Sequence, residues 1–457
     1  MAARPPTSSA PAGAADGTAS EKQPVREAPK LNPLQILGQL FDTNPNWIAT
    51  DSLEGYPFAH SSTGTLYIAD PPTVEEWMPQ EWQLGTVTHW PDTISKLLGA
   101  EALAVTRDAD KHGALRKVFG VMLQDGEVER MLPGIQATVE RYMAEWAKKG
   151  RVRFYEEALT MVFDVLINQA MQLGWSDEDI KKYAGIFETW NQGFTVVAGP
   201  LPWSRFNRGM RARKELIARL RQSLADPALI PGSMPAKLRD AYGADSDVCT
   251  DNLIMVVFAG FETTCSLVTG LLWHLSRNPD ALQKLRTEQG QVAPAGAPLT
   301  LGALGAMRYT QGALGEVLRL SQIVSGVPRL ATKPLDLPRA PAIPSGCPLS
   351  VSWGGMSLRD PAVKGEETVF RPERWLEPAN AASLAEYQHP FGYGQHNCVG
   401  QRVARTIASA VARELALKYG LEADAEDSFD SFPTGGRPRN GLPVTLKPLA
   451  PAQEREP

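Results

Sequence analysis

The pattern of hydrophobic and polar positions along the chain is mainly that of helices. From Gly120 to Ala225, apolar residues recur at spacings of three and four, most regularly in Met131–Trp146 and Ala158–Leu173. This spacing is typical of an α-helix with one buried face. The longest helical candidate covers Asp245–Arg277, and a further amphipathic run covers Val403–Tyr419. The pattern therefore predicts a mainly α protein.

Shorter segments depart from this pattern. Leu34–Phe41 has the composition of a short apolar helix, and Gly64–Ala69 begins like a strand. Gly, Pro and aromatic residues interrupt the helical spacing in Trp190–Arg213. Two interpretations of that interruption stay open, a lid over a substrate entrance and an irregular packed connection.

The domain organisation follows from length and composition. A chain of 457 residues corresponds to about three domains of ordinary size. No internal repeat or long linker supports such a division, so we expect one large catalytic unit over residues 31–450. Residues 1–30 are rich in Ala, Pro, Ser, Thr and Gly and are expected to be disordered, and residues 451–457 form a tail. The N-terminal segment has no apolar core of a secretory signal, and a plastid transit peptide is the alternative to a cytoplasmic protein.

Charge and cysteine usage narrow the class of protein. The net charge of −5 gives no basic excess for nucleic-acid binding. The four cysteines are scattered without a C-x-x-C pair, which fits a reducing compartment and one chemically used thiol. The longest apolar run, Leu253–Phe261, is well short of the roughly 18 residues that span a bilayer. We therefore expect a soluble protein without a transmembrane anchor.

The most informative stretch is Phe391–Gly400, which reads FGYGQHNCVG. Cys398 lies among glycines, directly before the amphipathic run. Gly392, Gly394 and Gly400 can adopt positive φ, so the backbone can lie flat beneath a planar ligand and turn its N–H groups toward the sulfur. A helix N-terminus biases a thiol toward thiolate, and a thiolate suits haem iron as an axial ligand. The alternative is a small buried side chain in a Gly-rich turn.

The pattern F-x-x-G-x-x-x-C-x-G, carried by Phe391, Gly394, Cys398 and Gly400, resembles the cysteine-ligand loop of the cytochrome P-450 family. The resemblance implies a single large domain, mainly α with a small β region. It implies haem b (iron protoporphyrin IX) with Cys398 as the axial ligand of the iron. It also implies a monooxygenase that inserts one atom of O2 into a C–H bond of a hydrophobic small molecule, with electrons from a separate ferredoxin or reductase.

A second motif, AGFETT, lies within the longest helical candidate. Ala259 and Gly260 are small and leave room for dioxygen, and Thr263 can bend the helix by bonding to a preceding carbonyl. The resemblance implies that Glu262 and Thr263 are the catalytic acid–alcohol pair that delivers protons during oxygen activation. The alternative is a threonine that only satisfies a backbone carbonyl.

Basic residues at three places match cofactor-binding positions of the family. His112 and Arg116 lie four residues apart and share one face of a predicted helix. The resemblance implies that they bind a haem propionate, as do Arg329 and His396; a solvated cationic face is the alternative for His112 and Arg116. The segment after residue 319 lacks the proline usual in the family, so its path is not determined by the motif.

Three charged residues are expected to be structural. Glu316 and Arg319 lie three residues apart, a spacing that normally gives a weak surface ion pair. The resemblance implies that Arg374, in the later FRPERW segment, joins them in a buried network that holds the cysteine loop. Three charges in one network can satisfy each other where an isolated buried pair is costly.

Within the family, Trp90–Gly99 and Gly193–Arg213 resemble the retinoid, sterol and triterpene oxidases, which implies an isoprenoid-like substrate. Two other functions stay open: an isomerase, lyase or peroxygenase that needs no external electrons, and a non-enzymatic haem sensor. A basic face for the redox partner is expected at four residues: Arg116, Lys117, Arg402 and Arg405.

Overall fold

Helices make up most of the protein. The computed structural model describes residues 22–23, 25–27, 56–61, 64–120, 125–194, 201–424, 426–432 and 435–450. Its helices are α1 (Pro71–Trp77), α2 (Asp92–Leu98), α3 (Ala109–Gly120), α4 (Asp125–Lys149), α5 (Phe154–Asp164), α6 (Asp177–Asn191), α7 (Arg205–Ala225), α8 (Met234–Tyr242), α9 (Asp247–Arg277), α10 (Pro279–Val292), α11 (Leu301–Ala306), α12 (Arg308–Ser321), α13 (Trp353–Leu358), α14 (Ala381–Tyr387) and α15 (Gln401–Lys418). The predicted helix at Leu34–Phe41, most of the predicted disordered segment 1–30 and the tail 451–457 lie outside the described residues.

The strands form a smaller β region beside the helices. They are β1 (Val25–Glu27), β2 (Phe58–His60), β3 (Leu66–Ile68), β4 (Thr86–Thr88), β5 (Arg151–Arg153), β6 (Gly326–Ala331), β7 (Pro348–Ser352), β8 (Tyr419–Ala423), β9 (Phe429–Phe432), β10 (Gly435–Pro438) and β11 (Pro443–Pro448). Among the described residues, one sheet has the order β1-β2-β3-β7-β6-β4, a second has β5-β11-β8, and β9 pairs with β10. The predicted fold class, mainly α with a small β region, is confirmed.

Helix α9 runs through the middle of the helical core. Ser246 caps its N-terminus by accepting a hydrogen bond from the backbone N–H of Val248 at 3.2 Å. By length and composition α9 could cross a membrane, but two thirds of its most apolar window is buried inside the protein. The helix is apolar all round because other elements cover it, as expected for the core helix of a large domain.

Two predicted boundaries differ from the observed ones. The run Ala158–Leu173 divides into α5 and a wider π-helical turn at Val165–Ala170. The helical run ends there because the Asn168 amide bonds to the backbone N–H and C=O of Trp175, at 2.8 and 3.0 Å.

The predicted interruption after Trp190 is shorter than expected. Helix α7 begins at Arg205, where Ser204 accepts a hydrogen bond from the backbone N–H of Asn207 at 3.2 Å. The second half of the predicted interruption therefore belongs to α7, whose inner face, including Phe206 and Ala212, is buried. Residues 195–200 lie outside the described residues, and the lid stays a prediction.

The chain leaves α12 through a left-handed residue. Gln322 has φ of 40° and ends the helix, and a Cβ on Gly354 would lie 2.2 Å from the Gln322 side-chain oxygen. The missing side chain of Gly354 therefore makes space for this exit. Strand β6 follows and pairs with β4, which places Arg329 opposite Thr88 at the edge of the sheet.

Candidate active site

The cysteine loop connects the β region to helix α15. The backbone N–H of Cys398 donates to the carbonyl of Phe391 at 2.8 Å, which closes the loop. Gly392 and Gly394 have φ of 75° and 69°, as the sequence predicted. Gly400 differs, because its φ is −91° and a Cβ there would lie 3.9 Å from the sulfur, in ordinary contact. Gly400 therefore does not use the positive φ that glycine permits.

The Cys398 thiol faces an interior space. Burial raises the pKa of this thiol, although the N–H groups of Gly400 and Gln401 and the charge of Arg116 oppose the rise. The amides that the sequence predicted to favour the thiolate are therefore present, and desolvation of the sulfur opposes them. Cys398 nevertheless keeps accessible surface. A residue that is surrounded by protein and yet accessible borders an open cavity.

Helix α9 has an accessible patch in the middle of its buried length. Ala259 is exposed, although the residues before and after this part of the helix are largely buried. Thr263 Oγ1 donates to the carbonyl oxygen of Ala259 at 2.6 Å, the type of bond that bends a helix locally. Gly260 also has a packing role that the sequence did not indicate, since a Cβ there would lie 2.9 Å from Leu166 Cδ2. Its small size therefore allows the close approach of Leu166 to α9, and the room for dioxygen stays a prediction.

Glu262 is directed to another side of α9 than Thr263. Its Oε1 lies 3.5 Å from the Tyr155 hydroxyl and 3.5 Å from Arg437 Nη1. Its Oε2 is buried and has no hydrogen-bond partner among the described residues. Burial and the nearby Glu262 raise the pKa of Tyr155 well above its usual value, so the hydroxyl is a donor. Tyr155 and Arg437 come from distant parts of the chain, and no sequence motif identified them.

A buried cluster of basic side chains lies beside the cysteine loop. His112 is buried, and its ring centroid lies 4.2 Å from that of His396. Arg329 is also buried, and its Nε donates to Glu81, which the sequence analysis missed. The other carboxylate oxygen of Glu81 bonds to His396 Nδ1. Arg116 lies at the rim, where Nη1 donates to the Asn397 carbonyl at 2.6 Å.

The electrostatics of this cluster are unbalanced. Burial, His396 and Arg116 lower the pKa of His112 to about 4. Burial also lowers the pKa of His396, opposed by its bond to Glu81. Glu81 is the carboxylate within the cluster, and its pKa is lowered, since the bonds from His396 and Arg329 outweigh its own burial. The lowered pKa values favour neutral histidines, so the charges left in the cluster are those of two arginines and one carboxylate.

This imbalance tests whether a haem fits the site. Arg329 Nη2 and His396 Nε2 are buried and have no hydrogen-bond partner among the described residues. Unpaired buried polar nitrogens are rare in native proteins and indicate a missing partner. Among the described residues, no group of three or more His, Cys, Asp or Glu could hold a metal ion. The propionates of a haem would supply the missing anions, and Cys398 the axial ligand, so the residues fit this cofactor.

The predicted charged network is present and buried. Glu316 and Arg319 form two hydrogen bonds, from Nε at 2.9 Å and from Nη2 at 2.8 Å. Arg374 Nε lies 3.5 Å from Glu316, and Arg374 Nη2 donates to Glu366 at 3.1 Å. Arg319 also donates to the Val369 carbonyl at 2.8 Å. The network fixes the segment before the cysteine loop to helix α12.

The expected basic face for a redox partner is only half present. Arg402 and Lys117 are exposed, and Arg402 pairs with Asp125. Arg405 is turned inward over the Phe391 ring, with its guanidinium carbon 5.1 Å from the centroid, and burial lowers its pKa. Arg116 also points inward, to the loop. The sequence could not separate these arginines because loop and helix orientation decide which side each one faces.

Comparisons with known proteins agree with this geometry. A family model described as Cytochrome P450 matches residues 236–438. Cytochrome P450 90A3 of Oryza sativa subsp. japonica is 27% identical over 417 residues, 84% of this chain and 81% of that protein. Cytochrome P450 26B1 of Mus musculus is 26% identical over 370 residues, 73% of this chain and 69% of that protein.

A solved structure shows the same fold. The retinoic acid bound cyanobacterial CYP120A1 matches with a TM-score of 0.80 and 24% sequence identity, over 94% of this chain and 100% of that one. Relatives along most of the sequence, a family model over residues 236–438 and a shared fold agree with a cysteine loop that fits haem. The chain is similar to the cytochrome P450 family in sequence and fold, and the activity that this likeness supports is that of a haem-thiolate monooxygenase.

Proposed function

We propose that the protein hydroxylates or epoxidises a hydrophobic, isoprenoid-like small molecule with electrons from a separate ferredoxin or reductase. The observation that carries the proposal is the accessible patch of α9 at Ala259, where Thr263 bonds to the carbonyl of the same residue. An exposed apolar position on a buried helix offers a dry surface to a substrate. Haem b, when bound to Cys398, supplies the activation of O2 and the oxidation of the C–H bond.

The substrate class has two supports. The solved relative CYP120A1 holds retinoic acid, which is an isoprenoid acid. In this chain, Val324 is 41% exposed in the segment between α12 and β6. A large exposed apolar side chain on that segment suits contact with a hydrocarbon ligand.

Thr263 and Glu262 are the groups that we assign to proton delivery. To pass a proton on, Thr263 must release its bond to the Ala259 carbonyl, which costs about 1 kcal/mol net for a single hydrogen bond. Glu262 has one buried oxygen, Oε2, without a partner among the described residues, and this oxygen can accept a proton. Arg437, whose side chain is 33% exposed, connects Glu262 to the protein surface.

The Thr263→Ala variant tests this assignment. Without the hydroxyl we expect reducing equivalents to be diverted to peroxide, with product formed per NAD(P)H falling at least about tenfold, in the range typical of a lost acid–base group. Thr264→Ala is the matched control, because Thr264 is a buried neighbour on another face of the helix. Unchanged coupling in Thr263→Ala would remove the relay from the account.

A second measurement separates the monooxygenase from its alternatives. Turnover of retinoids, sterols and terpenes is measured under two conditions. One reaction contains NAD(P)H and the partner proteins, and the other contains peroxide alone. The proposal predicts product with the electron donor, whereas a peroxygenase, isomerase or lyase needs none. We further propose a reducing compartment such as the cytoplasm, because Cys249, Cys265, Cys347 and Cys398 are all free thiols.

A further inference from the structure

Glu81 is a buried carboxylate that no sequence motif connects with the cysteine loop. It has no exposed surface and lies just after a short turn, Met78–Gln80. Its carbonyl accepts hydrogen bonds from the backbone N–H and the hydroxyl of Thr86, at 2.8 and 2.9 Å. Thr86 begins strand β4, so the sheet itself fixes the position of Glu81.

The cysteine loop is shaped to receive this turn. Gly394 has φ of 69°, and a Cβ there would lie 2.3 Å from the Met78 carbonyl oxygen. Only glycine permits both the left-handed backbone and this close approach. The approach brings Glu81 within bonding distance of His396, two residues beyond Gly394.

The carboxylate of Glu81 is divided between two basic groups. One oxygen accepts from Arg329 Nε, and the other bonds to His396 Nδ1. Arg329 Nη1 donates to the Pro328 carbonyl at 3.0 Å. The nitrogens left over are Arg329 Nη2 and His396 Nε2, both buried and without a hydrogen-bond partner among the described residues.

We propose that Glu81 is a positioning residue of the cofactor site, which orients Arg329 and His396 so that one nitrogen of each is presented to a haem propionate. The inference rests on the haem cofactor of the family and not on the identity of the substrate. Without the carboxylate, the Arg329 side chain keeps only its bond to the Pro328 carbonyl, and Nη2 is held less firmly in place. Removing a residue that contacts the ligands of a bound group, but not the group itself, typically lowers the affinity of the protein for that group about 10- to 100-fold.

The test is the rate at which the holoprotein loses haem to excess apomyoglobin, followed by Soret absorbance. Glu81→Gln keeps the size of the side chain and removes its charge, and we expect haem loss to accelerate about 10- to 100-fold. The matched control is Glu76→Gln, which removes the same charge from an exposed position on α1. Its rate is expected to stay within about twofold of the wild type, as for a surface substitution.

A double-mutant cycle separates positioning from a general loss of structure. In the Arg329→Met background, Glu81 has lost one of the groups that it orients, and its charge then opposes the propionate. The factor by which Glu81→Gln accelerates haem loss is therefore expected to shrink at least about threefold, or to reverse. If Glu81→Gln does not fold, Glu81→Asp withdraws the carboxylate by one methylene and takes its place in the same cycle.

Two results would overturn the assignment: acceleration by less than about tenfold, or the same factor in both backgrounds. The CO spectrum of each reduced variant distinguishes a wrong assignment of Glu81 from a wrong proposed function. Because Cys398 is intact in all of these variants, each one that holds haem should still show the band of thiolate-ligated haem. A wild type that binds no haem would overturn the assignment together with the central claim.

Discussion

The Glu316 carboxylate is the centre of the buried charged network, and its replacement by glutamine distinguishes a structural core from a weak ion pair. The carboxylate has no exposed surface. It accepts two hydrogen bonds from Arg319, at 2.9 and 2.8 Å. It also accepts bonds from the Trp375 indole N–H and the backbone N–H of Arg371, both at 3.0 Å.

The size of the expected loss in stability follows from the charges that Glu316→Gln leaves unpaired. In Glu316→Gln, the guanidinium groups of Arg319 and Arg374, each with 1% exposed side chain, lose their shared anion. Breaking a buried ion pair from one side costs about 3–5 kcal/mol, because the remaining charge is uncompensated. An exposed pair at the same i, i+3 spacing contributes about 0–1 kcal/mol. We expect the free energy of unfolding to fall by about 3–5 kcal/mol, a large part of the roughly 5–15 kcal/mol that stabilises a domain.

The assay is urea unfolding of the holoprotein, followed both by far-UV circular dichroism and by Soret absorbance, to check that the two transitions coincide. The matched control is Glu127→Gln. Glu127 forms an i, i+3 pair with Arg130 at 2.8 Å, and both side chains are about one-third exposed. The control is expected to lose less than about 1 kcal/mol. A loss as small as this in Glu316→Gln would refute the view that the network is a buried core.

Two further predictions concern the core and the loop. Burial, Arg319 and Arg277 lower the pKa of His274 to about 3. As the pH falls below about 6.5, His274 therefore takes up a proton in the unfolded chain before it does so in the folded protein. The free energy of unfolding should drop by about 1.4 kcal/mol per pH unit between about pH 6 and 4. His274→Phe, which keeps an aromatic ring stacked on Phe370, should remove this contribution, and an unchanged slope in denaturant titrations would contradict it. Gly394→Ala should weaken haem retention and lower stability by more than about 1 kcal/mol, the cost of a left-handed non-Gly residue alone. Gly400→Ala should be tolerated because its φ is negative, and equal thermal shifts in the two variants would contradict the distinction.

Much of the fold could be predicted because its elements are long and periodic. The predicted Asp245–Arg277 helix is observed as Asp247–Arg277, and Val403–Tyr419 is observed as Gln401–Lys418. The spacing of apolar residues was a less reliable guide where a single side chain decides where a helix ends. The Asn168 amide that binds the Trp175 backbone ends a helical run before its apolar spacing ends.

The sequence identified those site residues whose side-chain type is unusual for their surroundings. It missed residues whose role depends only on contacts between distant parts of the chain. Cys398 stands out in the sequence because it lies in a Gly-rich loop before a helix, and Thr263 because it is a polar residue in a mostly apolar helix. Glu81 lies between Trp and Gln residues with no motif, and its role depends on Gly394 admitting the preceding turn. Arg405 and Arg402 are alike in the sequence, but a helix places one inward and the other outward.

The central claim is that Cys398 provides a thiolate ligand to haem iron. Its most direct test is the difference spectrum of the reduced, CO-treated protein, measured for the wild type and for Cys398→Ala at equal haem content. The account predicts the red-shifted Soret band of thiolate-ligated haem in the wild type and its complete loss in the variant. Retention of that band in Cys398→Ala, or a wild type that does not bind haem, would contradict the account.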